Sequence, residues 1–352
     1  MNFKVCSLGC KVNSYECSAL SSLLLSKGFT ESKNDDCDII IINTCSVTAT
    51  ADQKSRQHIR KMMKNYPHAI CVVMGCYSQG NVDYISEKIK PHIVVGASHR
   101  HEIPELIEEY LTDKKPIVKV DSNPRNFKYE ELGVTSFSEN VRAYLKIQDG
   151  CDNFCTYCLI PYRRGKMRSR AKENIISEAK YLISQGYQEI VLTGIHVGGY
   201  GQDLDDTSFS DLVDALCHLE GLNSLRISSI EESEIDEYLI ELVTSNNVLA
   251  KHLHIPLQSG SETVLKRMNR KYDKAQFIAK LKHIRELCPD IALTTDVIVG
   301  FPGESEEEFK ETFDFIKECG FNMLHVFPFS AREGTAAFLM KNQIDPSVKK
   351  ER

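Results

Sequence analysis

The chain has 352 residues, of which 42% are hydrophobic and 26% carry a charge, and its formal net charge is −6. This length allows two domains, or one large barrel with a smaller unit. The acidic balance excludes binding to nucleic acid through overall charge, so any such contact needs a local basic patch. No basic and apolar leader stands at the start, and the most apolar run, 39–42, is too short to cross a bilayer. We therefore expect a cytoplasmic protein without a membrane segment.

Thirteen cysteines are many for a cytoplasmic protein. Their number is odd, and disulfide bonds are rare where the cell keeps thiols reduced. Metal binding or catalysis is therefore the first role to consider for cysteines that share a sequence context. Seven cysteines share none, and we predict that they are structural: Cys6, Cys17, Cys37, Cys71, Cys217, Cys288 and Cys319.

The first part of the chain alternates between strand and helix patterns. Short apolar runs predict strands at 4–7, 38–42, 69–74 and 93–95, and helical patterns cover 14–27 and 51–65. Strands that alternate with helices indicate a parallel sheet with right-handed crossovers. We predict an α/β domain over 1–112. Residues 113–140 are polar, contain Pro124 and Gly133, and show no sustained period, which predicts a linker.

From residue 142 the alternation resumes, and six strand–helix units predict an open (β/α)6 barrel over 141–335. The predicted strands are 143–147, 189–193, 224–228, 252–256, 293–299 and 323–327, and the clearest helices are 172–184, 210–219, 274–288 and 306–318. In such barrels the chemistry gathers at the C-terminal ends of the strands. The predicted fold class is α/β, with an N-terminal parallel-sheet α/β domain followed by this open barrel.

The stretch DGCDNFCTYCLIPYRRGKMRSR places Cys151, Cys155 and Cys158 directly after the first predicted barrel strand. A structural zinc site usually has four protein ligands, and a saturated [4Fe–4S] cluster also takes four thiolates. Three thiolates with no fourth cysteine or histidine nearby would leave one iron of such a cluster open to a small molecule. The alternative is that the three cysteines are buried there for packing alone.

Three further cysteines each follow a predicted strand of the N-terminal sheet, in the segments SLGC, INTC and VMGC. Because the carboxyl ends of parallel strands share one edge of a sheet, Cys10, Cys45 and Cys76 can converge there. Gly9 and Gly75 let the backbone approach a bulky group. Two interpretations stay open at this point, a second three-thiolate iron–sulfur site and three small core residues.

The spacing C-x3-C-x2-C after the first barrel strand resembles that of the radical S-adenosylmethionine (SAM) superfamily. Segments along the whole chain resemble, in order, the methylthiotransferases of that superfamily. They are SLGCKVNSYE, INTCSVTATADQKSRQHIR, MGCYSQ, GCDNFCTYCLIPYRRGKMRSR, VLTGIHVGGYG, LRISSIE, HLHIPLQSGSETVLKRMNRKY, TTDVIVGFPGE and HVFPFSAREGT. The resemblance implies an enzyme, a transferase, and its barrel is then an open (β/α)6 radical-SAM barrel.

The resemblance also implies the cofactors, which are SAM and two [4Fe–4S] clusters. Cys151, Cys155 and Cys158 would hold the cluster whose open iron binds SAM. Cys10, Cys45 and Cys76 would hold an auxiliary cluster that carries the sulfur to be inserted. The candidates for contacts to SAM or substrate are Tyr157, Gly194, Ser228, Gln258 and Asp296. Polar residues inside barrels also serve packing, which is the alternative for each of the last four.

The segments GCKVNSYE, TGIHVGGYG and SSIE most resemble the methylthiotransferases that modify C2 of N6-threonylcarbamoyladenosine next to the anticodon of tRNA. Isopentenyladenosine in tRNA and an aspartate of a ribosomal protein are the alternative substrates within the family. Glu232 and Ala337 stand where that subgroup is expected to have proline. An iron–sulfur electron carrier is the non-enzymatic alternative.

The implied partners are tRNA, an electron donor such as flavodoxin or ferredoxin, and a sulfur donor. Enzymes of this family usually end in a small RNA-binding β-barrel, the TRAM domain, and residues 336–352 would be the start of the connection to it. We therefore expect that this chain lacks that domain.

A basic strip follows Cys151, Cys155 and Cys158, and it consists of Arg163, Arg164, Lys166, Arg168 and Arg170. Cationic side chains beside an active face can follow a phosphate backbone, which predicts contacts to tRNA. The alternative is a solvated loop, the usual place of a run of charges.

Overall fold

The computed structural model describes residues 1–32, 36–134 and 142–352, and these form two compact units. The first unit consists of Met1–Asp152 and Leu159–Tyr187, and the second of Asn153–Cys158 and Gln188–Arg352. Residues 135–140 of the predicted linker and residue 141 at the predicted start of the barrel lie outside the described residues. Within the described parts, no helix combines the length and the apolar character that a membrane crossing needs.

The first unit contains nine strands and seven α-helices among its described residues. The strands are β1 (Asn2–Ser7), β2 (Thr30–Glu31), β3 (Ile39–Thr44), β4 (Ile70–Gly75), β5 (Ile93–Val95), β6 (Ile117–Lys119), β7 (Ala143–Lys146), β8 (Gln148–Asp149) and β9 (Arg168–Ser169). The helices are α1 (Lys11–Ser26), α2 (Ala49–Asn65), α3 (Cys76–Gly80), α4 (Val82–Tyr84), α5 (Ile103–Asp113), α6 (Ile160–Arg164) and α7 (Lys172–Ser184).

Six of these strands form a parallel sheet in the order β2-β1-β3-β4-β5-β6. Strands β2 and β3 lie on opposite sides of β1, so the strand order has its switch point between β1 and β3. In open parallel sheets such a switch point leaves a crevice outside the carboxyl ends of the strands, where ligands bind. The sheet therefore presents a binding edge at the ends of β1 and β3.

The core of the sheet follows from the isoleucine run of β3, in which every residue is buried. Successive side chains of a strand point to opposite faces. Ile39 and Ile41 belong to one apolar cluster together with Leu20 of α1. Ile40 and Ile42 belong to a second cluster that includes residues of α2. A strand that is buried on both faces appears in the sequence as a continuous apolar run, and this is why β3 could be predicted.

The four strands predicted for the N-terminal domain are confirmed with ends within two residues of those observed. Strand β6 was not predicted, because it has three residues, lies at the sheet edge and is only partly buried. It falls inside the predicted linker 113–140, yet Val118 pairs with Val94 of β5. Further along the same segment, the hydroxyl of Tyr129 donates to the carbonyl oxygen of Lys146 at 2.9 Å. Part of the predicted linker is thus packed onto the first unit, and the domain boundaries stay a prediction.

The second unit contains five strands and seven α-helices. The strands are β10 (Glu189–Thr193), β11 (Ser224–Ile227), β12 (His252–His254), β13 (Ala292–Val299) and β14 (Met323–Pro328). The helices are α8 (Phe209–Cys217), α9 (Glu237–Ser245), α10 (Glu262–Met268), α11 (Lys274–Leu287), α12 (Glu306–Cys319), α13 (Ala336–Leu339) and α14 (Pro346–Glu351).

Strands β10 and β11 pair in parallel, as do β12, β13 and β14. Three α-helices of this unit begin with a capping box, at Ser208, Asp273 and Ser305, in which the side chains of the first and fourth residues of the box each accept a hydrogen bond from the other's backbone N–H group. The predicted strands from residue 143 onward are confirmed with ends within two residues. The fold class is therefore confirmed as α/β, with an N-terminal parallel sheet followed by repeated strand–helix units.

Candidate functional site

The structure places Cys10, Cys45 and Cys76 at the ends of three neighbouring strands. Cys10 lies in the turn between β1 and α1, Cys45 directly follows β3, and Cys76 directly follows β4. These strands are adjacent in the order β1-β3-β4, so the three thiols share the carboxyl edge of the sheet at its switch point. Gly9 has a φ of +115°, and a Cβ atom there would lie 2.7 Å from the Cβ atom of Cys45. The loop that carries Cys10 therefore runs directly against Cys45.

The donor set at this edge suits a metal cluster rather than a disulfide. All thirteen cysteines are free thiols. Cys45 and Cys76 are buried, and burial raises the pKa of the Cys45 thiol to about 11. Burial also raises the pKa of Cys76, although the charge of Arg164 opposes that shift. Three thiols at one edge fit an iron–sulfur cluster with three protein ligands, which binds them as thiolates.

Arg164 lies directly beside this group. Its side chain is fully buried, and its Nε–H donates to Sγ of Cys76 at 3.1 Å. Its Nη1 donates to Oε1 of Glu16 at 2.7 Å, and its Nη2 donates to Oε2 of the same carboxylate at 3.2 Å. The guanidinium group and the carboxylate thus form a bidentate pair with two hydrogen bonds, the strongest geometry for such a pair.

Arg164 and Glu16 belong to a larger buried network of charges. Its members are the cations Arg100, Lys146, Arg164 and Arg168 and the carboxylates Glu16, Glu130 and Asp149. Burial alone would raise the pKa of Glu16, but the nearby charges of Arg100, Arg164 and Lys146 outweigh it and hold that pKa below its ordinary value. Four cations against three carboxylates leave one positive charge in excess. This excess suits an anionic group at the neighbouring Cys76.

Three residues of the basic strip that was predicted to contact RNA, Arg164, Arg168 and Arg170, are buried and paired with carboxylates. Arg168 binds the carboxylate of Asp149 at 3.2 Å, and Arg170 binds that of Glu178 at 2.5 Å. Their guanidinium groups stabilise the first unit through ion pairs. Of the remaining two, Lys166 is exposed and Arg163 is half-buried, with its guanidinium group against Gly80. Their contacts with RNA stay a prediction.

The loop with Cys151, Cys155 and Cys158 contains three half-buried thiols. In the first unit, the backbone N–H of Cys151 donates to the carbonyl oxygen of Gly165 at 3.1 Å. In the second unit, the N–H of Cys158 donates to the carbonyl oxygen of Cys155 at 2.9 Å, which closes a tight turn. The hydroxyl of Thr156, between them, donates to the carbonyl oxygen of Arg267 at 2.8 Å. Within the second unit, these bonds hold Cys155, Thr156 and Cys158 in a defined turn.

A second buried arginine lies beside Cys155. Nη1 of Arg270 donates to Sγ of Cys155 at 3.5 Å, and its Nη2 pairs with the carboxylate of Glu231 and with the carbonyl oxygen of Pro256. Sequence reasoning missed both Arg270 and Glu231. Nothing in the local pattern distinguishes this arginine from the other cations of the segment LKRMNRKY, so only the fold reveals it.

The candidates for contacts to SAM occupy strand ends and strands of the second unit. Gly194 directly follows β10 and Ser228 directly follows β11. Gln258 has a left-handed φ of +63°, and its backbone bonds to both Asp296 and Ile298 of β13. Their placement fits the prediction, but their contacts to SAM stay predictions.

Asp296 and Tyr157 have defined neighbours of their own. Asp296 lies within β13, and its Oδ2 atom is 3.3 Å from Nε2 of His254. Together with His325 they form the one set of three potential metal ligands within 4.8 Å of one another that the described residues contain. Tyr157 packs its ring edge-on against Phe301, with 6.4 Å between the ring centroids.

Comparison with known families matches residues 2–96 to the uncharacterized protein family UPF0004 and residues 145–316 to the radical SAM superfamily. The threonylcarbamoyladenosine tRNA methylthiotransferase MtaB of Bacillus subtilis (strain 168) is 47% identical over 348 residues, which cover 98% of this chain and 77% of that protein. This chain belongs to the radical SAM methylthiotransferase family. The predicted enzyme class, a transferase, and the predicted cofactors, SAM and two [4Fe–4S] clusters, are thereby confirmed.

Other methylthiotransferases are similar at lower identity. The MtaB of Aquifex aeolicus (strain VF5) is 38% identical, over 98% of this chain and 84% of that protein. The tRNA-2-methylthio-N(6)-dimethylallyladenosine synthase of Bacillus subtilis (strain 168) is 36% identical, over 99% of this chain and 70% of that protein. Both proteins are named as enzymes that add a methylthio group to tRNA, and their names differ in the adenosine derivative that is modified.

Solved structures share the fold. The radical S-adenosylmethionine methyltransferase TsrM from Kitasatospora setae superimposes with a TM-score of 0.68, over 92% of this chain and 72% of that chain. The cobalamin-dependent S-adenosylmethionine radical enzyme OxsB gives a TM-score of 0.63, over 96% of this chain and 54% of that chain. Both are 14% identical to this chain, so the similarity concerns the fold.

Proposed function

We propose that this chain transfers a methylthio group to C2 of N6-threonylcarbamoyladenosine in tRNA. The observation that carries this proposal is the 47% identity, over 98% of the chain, to the enzyme with that name from Bacillus subtilis. The dimethylallyladenosine synthase of the same organism is 36% identical over a similar span, and we keep its reaction as the second candidate. Both reactions place sulfur on the same carbon of adenine, so the cysteine groups serve either one.

In this proposal the two cysteine groups hold the two clusters. Cys151, Cys155 and Cys158 hold the cluster that binds SAM, and the thiols at the sheet edge hold the auxiliary cluster that provides sulfur. When bound, SAM and the reduced cluster supply a carbon-centred radical that removes hydrogen from a carbon no side-chain base deprotonates at neutral pH. The role of the protein is to fix the positions of SAM and the two clusters. The hydrogen bonds of Thr156 and of the Cys155–Cys158 turn supply that rigidity in the second unit.

Asp296 and Gln258 are the residues we propose for the polar part of SAM. A ribose presents two hydroxyl donors, and an ionised carboxylate accepts hydrogen bonds of about twice the strength of neutral ones. His254 lies 3.3 Å from the carboxylate of Asp296 and restrains its orientation. Ser228 supplies a hydroxyl directly after β11, and Gly194 supplies a position without a side chain directly after β10.

The proposed partners follow from the reaction. The substrate is a tRNA, and Lys166 and Arg163 are the cations of the strip that remain for its phosphates. Reduction of the SAM-binding cluster needs an electron donor such as flavodoxin or ferredoxin, and each turnover uses one sulfur atom that a donor must replace. We propose that the protein works in the cytoplasm, where tRNA is modified.

The test is complementation of a Bacillus subtilis strain that lacks its own threonylcarbamoyladenosine methylthiotransferase. Nucleosides from digested tRNA are analysed by liquid chromatography and mass spectrometry, with a Cys155→Ala variant as the inactive control. We expect 2-methylthio-N6-threonylcarbamoyladenosine with this chain and none with the variant. In a strain without the dimethylallyladenosine enzyme, methylthiolation of that nucleoside instead would favour the second candidate. Absence of both products would contradict the proposal.

A further inference from the structure

Each predicted cluster has one ligand sulfur that accepts a hydrogen bond from a buried arginine. Nε of Arg164 is 3.1 Å from Sγ of Cys76, and Nη1 of Arg270 is 3.5 Å from Sγ of Cys155. The side chain of Arg164 is 0% exposed and that of Arg270 is 4% exposed. A carboxylate holds each arginine in place, Glu16 in the first unit and Glu231 in the second.

The geometry of Arg164 directs one donor to sulfur. Its two terminal nitrogens face the two oxygens of Glu16, and this end-on arrangement leaves Nε–H at the side of the guanidinium group, where Cys76 lies. Burial of an arginine is costly unless its charge is compensated. Its partners Glu16 and Asp149 provide that compensation and so fix the donor in place.

The two arginines differ in their electrostatic surroundings. Arg270 pairs with Glu231, so this pair carries little net charge, and its contact with Cys155 is the longer of the two. Arg164 belongs to the network of four cations and three carboxylates, whose excess is positive. The stronger influence on a bound cluster is therefore expected at Cys76.

We propose that Arg164 is a positioning residue that raises the reduction potential of the cluster held by Cys10, Cys45 and Cys76. One-electron reduction adds a negative charge to the cluster, and a hydrogen bond to a ligand sulfur stabilises the reduced form. Arg164 and Cys76 are buried, so that stabilisation is screened less than in water. Arginine stays protonated throughout, so no proton moves with the electron. The inference rests on the proposed function, because it requires a cluster at these three cysteines.

The test uses the full chain with Cys151→Ala, Cys155→Ala and Cys158→Ala, reconstituted anaerobically with iron and sulfide so that one cluster is measured. Arg164→Met removes the donor, and Arg164→Lys keeps the charge without the Nε–H group. Arg100→Met is the matched control, because Arg100 pairs with Glu16 at 3.0 Å and is equally buried, yet no hydrogen bond joins it to Cys76. The readouts are the midpoint potential, from a titration followed by electron paramagnetic resonance, and the iron–cysteine stretching frequency from resonance Raman spectra.

We expect Arg164→Met to shift the midpoint potential to a more negative value and to move the stretching frequency. Arg164→Lys should shift the potential less while it also moves the frequency, and Arg100→Met should leave the frequency unchanged. Equal effects of Arg164→Met and Arg100→Met, or no effect of either Arg164 variant, would overturn the inference. If circular dichroism shows that Arg164→Met does not fold, the iron–cysteine stretching frequency of Arg164→Lys decides the question. Absence of iron from the background protein would instead contradict the proposed function.

Discussion

Arg100 and Glu130 form a buried ion pair, with 2.5 Å between Nη1 of Arg100 and Oε2 of Glu130. The backbone N–H and the ring of His101 also bond to this carboxylate, both through Oε1. Burial alone would raise the pKa of Glu130, but the charge of Arg100 and the hydrogen bonds from His101 and Arg100 together outweigh it and bring the pKa to about 2. The pair connects a segment that the sequence predicts as linker to the start of α5. Residue 130 is therefore part of the folded first unit.

We expect Glu130→Gln to lower the free energy of unfolding by about 2–3 kcal/mol at pH 7, because it leaves Arg100 buried without this partner. The folded pKa is below the unfolded one, so the stabilisation is present above the unfolded pKa of about 4.3 and is lost as the pH falls toward 2. Urea unfolding followed by circular dichroism at pH 7 and pH 3 measures this, and the difference between variant and parent should shrink at pH 3. Glu105→Gln, which removes an exposed partner of Lys27, is the control and should change stability by less than about 1 kcal/mol. A difference that does not depend on pH would contradict the assignment.

The sequence could predict the strands and the edge on which the cysteines meet, because both follow from local patterns. Buried parallel strands appear as apolar runs, such as the isoleucines of β3, and the ends of parallel strands share an edge. Short edge strands such as β6 have no such run, since their residues are only partly buried. Their pairing depends on neighbours distant in the chain.

The roles of the basic strip could not be predicted, for a related reason. A run of cations looks the same in sequence whether it faces phosphate, water or carboxylates of the same chain. Arg164 meets Glu16, which is 148 residues away, and Arg170 meets Glu178 on α7. The first of these pairs forms only when α1, which carries Glu16, and α6, which carries Arg164, have folded against each other.

We expect Lys166→Ala to reduce the salt dependence of tRNA binding. Removal of one cation that neutralises a phosphate lowers the slope of log K against log salt concentration by about 1. Fluorescence anisotropy with labelled tRNA over a potassium chloride series measures this slope. Arg170→Ala is the comparison, because its guanidinium group is buried against Glu178. It should lower stability by several kcal/mol while leaving the slope unchanged. An unchanged slope for Lys166→Ala would place this residue in a solvated loop.

We expect Asp296→Ala to raise the Kd for SAM by about ten- to a hundredfold, since the loss of a hydrogen bond to a charged group costs about 1.5–3 kcal/mol. Equilibrium dialysis of labelled SAM against anaerobically reconstituted protein gives the affinity. Asp290→Ala serves as the control, because Asp290 is exposed and pairs with Lys251. Equal affinities of Asp296→Ala and the parent protein would assign Asp296 to packing of the strand, beside His254.

The two cysteine groups should be separable by mutation, because they lie in different structural contexts. Cys10, Cys45 and Cys76 end neighbouring strands of the sheet, whereas Cys151, Cys155 and Cys158 share one loop. We expect the variant with Cys10→Ala, Cys45→Ala and Cys76→Ala to lose about half of its iron and still to cleave SAM to 5′-deoxyadenosine. It should form no methylthiolated nucleoside, because the proposed sulfur source is absent. The variant with alanine at the other three positions should keep about half of its iron and perform neither reaction.

Iron analysis and mass spectrometry of the same reaction mixtures check this separation, with 5′-deoxyadenosine and the digested nucleosides of tRNA measured together. A variant with Cys217→Ala and Cys319→Ala is the control. Both thiols are buried, belong to neither group and are predicted to be structural. It should keep the iron content and both products. Methylthiolated adenosine from the variant without Cys10, Cys45 and Cys76 would show that the sulfur does not pass through the sheet edge. Loss of SAM cleavage in that variant, with its remaining iron intact, would show that the two groups act together in the first step as well.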